Sequence, residues 1–144
     1  MKGDSIIVEA QHEKAASGII PAILPLLELS GQRFTISVAG QSGSGKSETA
    51  TAIAWALVPH GIKSMIFQQD DYFIYPPKTN DAARRDDISW VGTQEVRLDL
   101  MDEHLEAFSK GACRIEKPLV DYEKDTILSE SMDTGCLLYT SDAA

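Results

Sequence analysis

Apolar residues cluster along the chain in runs whose periods differ, and the periods predict the elements. The run IIPAILPLLELS, residues 19–30, predicts a helix with Pro21 near its first turn, weakened by Pro25 and stopped at Ser30-Gly31. RFTISVA, residues 33–39, is β-rich and ends in glycine. KSETATAIAWALVPHG then places Ala50, Ile53, Ala54 and Leu57 at helical spacing before Pro59 and Gly61. IKSMIFQ, residues 62–68, reads as a second buried strand. Residues 33–68 thus form a β-α-β pattern, which predicts a parallel pair with a right-handed crossover.

Residues 74–92 hold Pro76-Pro77, Asn80-Asp81 and Gly92, which predicts a long irregular connection of the kind that is either functional or mobile. From Thr93 onward TQEVRLDLMDEHLEAFSKG puts Leu98, Met101, Leu105 and Phe108 on one helical face, with Lys110-Gly111 as the stop. CRIEKPLVDYEKDTIL reads as strand and turn. No internal repeat or low-complexity segment interrupts this order.

A chain of 144 residues with 43% hydrophobic content accommodates one domain, or part of one. Its formal charge of -9 removes the general attraction to phosphate backbones, so no nucleic-acid partner is expected. The apolar stretch at 18–29 is too short to span a bilayer, contains two prolines and lacks a basic leader, so no membrane partner is expected either. A cytoplasmic location follows by default, and the oligomeric state is left open. Cys113 and Cys136 have neither a disulfide-framework pattern nor metal-ligand spacing and read as thiols. The last residues, CLLYTSDAA at 136–144, resemble translated sequencing-adapter sequence, which predicts a non-native tail and a missing remainder of the domain. The expected division is therefore a helical lead-in at 1–32, a partial catalytic domain at 33–135 and that tail.

GQSGSGKS, residues 40–47, matches the phosphate-binding (Walker A) pattern G-x-x-x-x-G-K-[ST] and lies between a predicted strand and a predicted helix, the context its mechanism requires. Gly40, Gly43 and Gly45 let the backbone curl so that successive N–H groups converge on phosphate, and the helix amino terminus adds its partial positive charge. Nucleotide contacts are expected from Gly40, Gln41, Ser42, Gly43, Ser44, Gly45, Lys46, Ser47 and Glu48. Of these, Ser42 and Ser44 read as small fillers of the loop. Lys46 is expected at the β- and γ-phosphates and the Ser47 hydroxyl at Mg²⁺. The nucleotide is ATP or GTP. The fold class expected is α/β, the three-layer αβα arrangement of P-loop NTPases around a parallel sheet, incomplete at the carboxyl terminus.

The second strand ends in QQDDYFIYPP, where two adjacent carboxylates oppose strand formation and point to a site. Ligands of open parallel sheets lie beyond the carboxyl ends of the strands, so both acids approach the γ-phosphate. Successive residues point in opposite directions, so one of the two aims at the acceptor. Asp70 is assigned as the general base for an acceptor hydroxyl, and Asp71 as a Mg²⁺-side or supporting acid. Tyr72, Phe73 and Tyr75 either wall the acceptor pocket or anchor the loop to the core. Lys78, Arg84 and Arg85 either meet phosphate or an anionic acceptor or, the favoured reading, form a solvated charge run. His60 beside Gly61 reads as a helix carboxyl-terminal cap, and His12 and His104 as surface residues.

GQSGSGKS, then FQQDDYF one strand later, then LDLMDEHLEAFSKG and KPLVDY together resemble the uridine kinase and phosphoribulokinase family of P-loop kinases, over residues 33 to 126. The resemblance implies a kinase that transfers the γ-phosphoryl of ATP or GTP to a hydroxyl of a small metabolite. It places Asp70 at the acid that activates the acceptor hydroxyl, and Phe73 where a substrate-contacting tyrosine stands. The family's N-F-D-H-P stretch has no counterpart here, DISWVGTQEV at 87–96 standing near its place. In PLVDYEKDTI, Val120, Asp125 and Ile127 replace the tyrosine, histidine and arginine that shape the uridine site. The resemblance therefore carries the kinase chemistry and not the nucleoside specificity. The competing readings are a P-loop nucleotide switch or ATPase, against which the acid pair after the second strand argues, and a fragment that binds nucleotide without turnover.

Overall fold

The structure is a computed structural model that describes residues 1–30 and 32–135; the tail predicted at 136–144 lies outside the described residues. Four α-helices, α1 (Ala10–Ser30), α2 (Lys46–Leu57), α3 (Pro77–Asp86) and α4 (Leu98–Ser109), precede a hairpin of β1 (Arg114–Asp121) and β2 (Thr126–Asp133). The class is mixed helix and strand. Among the described residues the sheet has two strands, paired antiparallel with Ile115 opposite Met132 and Val120 opposite Ile127.

Helix α1 begins well before the predicted start and carries Pro21 and Pro25 in its interior. Each proline removes a backbone donor, but Ala16, Ile20 and Ile23 lie on one face and are buried with Ala52, Ile53 and Leu57 of α2. Burying that stripe offsets the lost hydrogen bonds, a tertiary term that the sequence signal does not contain. Helix α2 runs as expected and closes through a 3₁₀ turn, Val58–His60, onto Gly61 at φ 73°. Only glycine reaches that left-handed conformation without cost.

Segments 33–39 and 62–68, predicted as strands, carry no ladder among the described residues, so the parallel pair is not formed. A strand requires a neighbour in register, and the crossover through α2 brings the two segments to one side of that helix, where Val38 and Ile62 pack on the α1–α2 core, without pairing them. Residues 74–92 are not irregular. Pro77 opens α3 at its first turn, where its missing N–H is of no consequence, and Asp81 and Arg85 make an i,i+4 ion pair at 2.6 Å. Helix α4 ends with Gly111 at φ 91°. Cys113 is disulfide-bonded, which corrects its reading as a thiol; Cys136 lies outside the described residues. No helix of the described residues is long and apolar enough to cross a membrane.

Candidate active site

The loop ahead of α2 has the backbone that its glycines predict. Gly43 and Gly45 sit at φ 74° and 79°. A Cβ at Gly40 would stand 2.6 Å from Ser44 Oγ, so a side chain there would push the Ser44 hydroxyl aside. Ser44 N–H donates to the Gln41 carbonyl at 3.2 Å, closing the turn. Residues 41–44 are exposed, and Lys46 Nζ folds back to donate to the Gln41 carbonyl at 2.7 Å. An exposed loop of this kind, with a lysine at its end and a helix amino terminus behind it, carries the donor types that bind an anion of phosphate size. Ser47 and Glu48 lie in the first turn of α2.

His12 is not a plain surface residue. It sits against this loop, its Nε2 2.8 Å from where a Gly45 Cβ would be. Its Nδ1 accepts the Glu9 N–H at 3.0 Å, so the start of α1 is fixed beside the start of α2.

The acid pair lies on a 3₁₀ turn, Gln69–Tyr72, which sends the two carboxylates different ways. Asp70 is exposed. Asp71 is buried at 1% exposure, its Oδ2 accepting from Lys117 Nζ at 2.7 Å and its Oδ1 from the Val120 N–H at 3.0 Å. Asp71, read in the sequence as a Mg²⁺-side or supporting acid, has both oxygens held by donors of β1. Lys117 also meets Glu130 of β2 at 3.1 Å, so the pair ties the turn to the hairpin.

Tyr72 resolves to the anchoring alternative. Its side chain is wholly buried and cannot wall a pocket. Its hydroxyl and His104 Nδ1 share a hydrogen bond of 2.9 Å, which also corrects the surface reading of His104. Burial, followed by the neighbouring Asp71 charge, pushes the Tyr72 phenol up to about 12. Burial moves His104 the other way, below its ordinary value. Both rings are therefore held in their neutral forms at neutral pH.

Phe73 remains half-buried, with the Arg84 guanidinium 5.6 Å from its ring centre. Arg84 is no solvated charge: its Nε and Nη2 donate to the two oxygens of Glu95 at 2.7 and 2.8 Å. Asn80 Nδ2 donates to Glu95 Oε2 at 3.0 Å, and Trp90 Nε1 donates to Asn80 Oδ1 at 2.8 Å. The hydrogen bond from Arg84, helped by Asn80 and the Gly92 N–H, holds the Glu95 carboxyl well below its usual range, at about 2. Beside this network the Tyr75 ring lies 5.3 Å from Trp90.

Arg84, Glu95, Asn80 and Lys117 escaped the sequence reading. Lys117 left one signal, because it shares the inward face of β1 with Ile115, two residues earlier, and a lysine there requires an acid. Glu95 left none, since its partners are 11 and 15 residues away on α3. The departures from the uridine kinase pattern have local explanations. Val120 is fully buried and gives its N–H to Asp71. Asp125, at φ 51° in the hairpin turn, accepts the Lys78 N–H at 2.6 Å and the Thr79 hydroxyl at 3.0 Å, capping α3 from outside.

Among the described residues no group of three His, Cys, Asp or Glu side chains is placed to hold a metal ion. A Mg²⁺ bound largely through substrate phosphates and one hydroxyl does not need such a cage.

Comparison with known proteins agrees with this arrangement. Residues 35–139 match the family model described as phosphoribulokinase/uridine kinase family. The bifunctional alpha-galactosidase/sucrose kinase of Mediterraneibacter gnavus is 32% identical over 111 residues, covering 70% of this chain. The chain spans 12% of that relative's length. No solved structure matches. With its family model covering most of the chain, this protein belongs to the phosphoribulokinase/uridine kinase family.

Proposed function

We propose that the chain carries the nucleotide side and the base of an active site that moves the γ-phosphoryl group of ATP, or GTP, to a hydroxyl of a small metabolite. The observation that carries the reading is the loop at 40–47, whose left-handed glycines open directly onto the amino terminus of α2. Its N–H groups and Lys46 receive the phosphates, and the Ser47 hydroxyl holds Mg²⁺, which when bound neutralises phosphate charge. Asp70, the exposed acid, takes the acceptor hydroxyl's proton as the acceptor oxygen bonds to the γ-phosphorus and the bond to the β-bridging oxygen breaks. ADP leaves. Asp71 acts through position alone, locking the turn that presents Asp70.

The acceptor is a small polyhydroxylated molecule. The relative is a sucrose kinase in one of its two activities, and the uridine-site residues are replaced here, so a sugar is favoured over a nucleoside. We read residues 33–135 as the kinase domain behind a helical lead-in, with 33–39 and 62–68 as strands of the parallel sheet of the three-layer arrangement once neighbours are supplied. By itself the chain then binds nucleotide without turnover.

Lys46→Ala tests the loop. In the full-length protein, turnover should fall by about a hundredfold or more, because no other cation is placed by the motif at the phosphates. Retention of more than about a tenth of the turnover, within that hundredfold scale, contradicts the assignment.

A further inference from the structure

The Trp90 indole is held more elaborately than an anchoring aromatic needs. Its N–H donates to Asn80, a residue 3% exposed, whose amide is in turn spent on the buried Glu95. Building that chain of buried polar groups costs desolvation, whereas an apolar contact would anchor a ring without it. The result is an indole fixed in orientation. Tyr75, still 41% exposed, lies against it with the two planes inclined by 34°. The same network continues through Glu95 to Arg84, which rests over Phe73, three residues from Asp70. Arg84 uses Nε and Nη2 on Glu95, and its Nη1 has no hydrogen-bond partner among the described residues.

We propose that Tyr75 and Trp90 form an acceptor platform for the ring of a saccharide, with Arg84 Nη1 donating to a ring hydroxyl and Asp70 receiving the hydroxyl to be phosphorylated. A sugar ring has an apolar C–H face, which suits the electron-rich face of an aromatic ring, and a rim of hydroxyls, which needs charged or polar partners to the side. Fixing Trp90 before the ligand arrives lowers the ordering cost of binding. The proposal rests on the kinase reading for its choice of base, but the platform itself does not.

The chain has two tryptophans, so Trp55→Phe leaves Trp90 as the sole emitter. In that background, with and without ATP and Mg²⁺, Trp90 fluorescence is titrated with glucose, fructose, sucrose, uridine and the acyclic polyol sorbitol. At least one of the three sugars should shift the emission saturably and protect it from acrylamide, while sorbitol should not. Tyr75→Ala, at an exposed position, should raise the half-saturating sugar concentration about tenfold, the loss expected for one aromatic face. In the full-length enzyme Trp90→Ala should raise the sugar KM with the nucleotide KM unchanged, and Trp90→Phe should restore part of it. A Trp90 signal that responds to no sugar, or to uridine alone, overturns the platform. Should wild-type enzyme show no nucleotide-dependent phosphorylation while Trp90 still reports sugar, the kinase reading fails and the platform stands.

Discussion

The α1–α2 pair and the body formed by the acid turn, α3, α4 and the hairpin are held together by different forces. In the first, Ala16, Ile20, Ile23, Ala52, Ile53 and Leu57 are buried side by side and no charged group is buried among them. In the second, Asp71, Asn80, Glu95, Lys117 and Asp121 are buried beside Tyr72, Val96, Ile115 and Val120. Apolar burial is non-directional and tolerates change of shape at modest cost. Buried ions are directional, and removing one partner leaves the other uncompensated. The difference follows the work each body does. On the proposed function, the helix pair holds a loop that works mainly through its own backbone N–H groups with Lys46 and Ser47 at its end, whereas the second body aims side chains, Asp70 above all.

This contrast can be broken experimentally. Lys117→Ala should destabilise the protein by about 3 kcal/mol, the low end for a broken buried pair, because Asp71 loses the closer of its two cations and keeps only the Met1 ammonium, 3.3 Å from its Oδ1. Urea unfolding measures the loss, and a change below about 1 kcal/mol would put the pair among surface bridges instead.

Glu95 sharpens the contrast through pH. Its folded-state carboxyl sits at about 2 against an ordinary 4.5, so its contribution to stability is full above the ordinary value and is lost as pH falls toward the folded one. Glu95→Gln should therefore be less stable than wild type by about 1.5–3 kcal/mol at pH 7, the range for hydrogen bonds to a charged group. The gap should close as the pH drops from 4.5 toward 2. A gap that is constant with pH would mean that the Arg84 pairing contributes nothing.

The smallest effect belongs to the apolar half, where Ile53→Val should cost about 0.5–1.5 kcal/mol at every pH. An effect as large as that of Lys117→Ala would erase the distinction between the two halves.

What was legible in the sequence follows the same division. The phosphate loop could be read because backbone conformation requires glycine at 43 and 45, and helix α2 because its burial repeats at helical spacing. Strand alternation sends one of the two acids toward an acceptor, and Asp70 is the one assigned there; in the structure a 3₁₀ turn exposes Asp70 and buries Asp71. The partner of Asp71 was not legible, since Lys117 is 46 residues away. Helix α3 was missed because its buried face is Asn80 and, in part, Arg84, which a hydrophobic pattern counts as turn and surface. The two predicted strands carry no ladder among the described residues for the complementary reason. An apolar β-rich run states a preference, but a ladder needs a neighbour that local pattern does not supply.

The central claim is that neighbouring carboxylates divide chemistry from architecture, and one paired measurement tests it most directly. Turnover, nucleotide affinity and unfolding midpoint are determined for Asp70→Asn and Asp71→Asn in the full-length enzyme. For Asp70→Asn the account predicts a turnover loss of roughly 10² to 10⁴ with nucleotide affinity and midpoint unchanged. For Asp71→Asn it predicts a lowered midpoint and, in the fraction still folded, a Mg²⁺ requirement like that of wild type. The account is contradicted if Asp70→Asn keeps its turnover, or if Asp71→Asn leaves the midpoint unmoved while excess Mg²⁺ restores its rate.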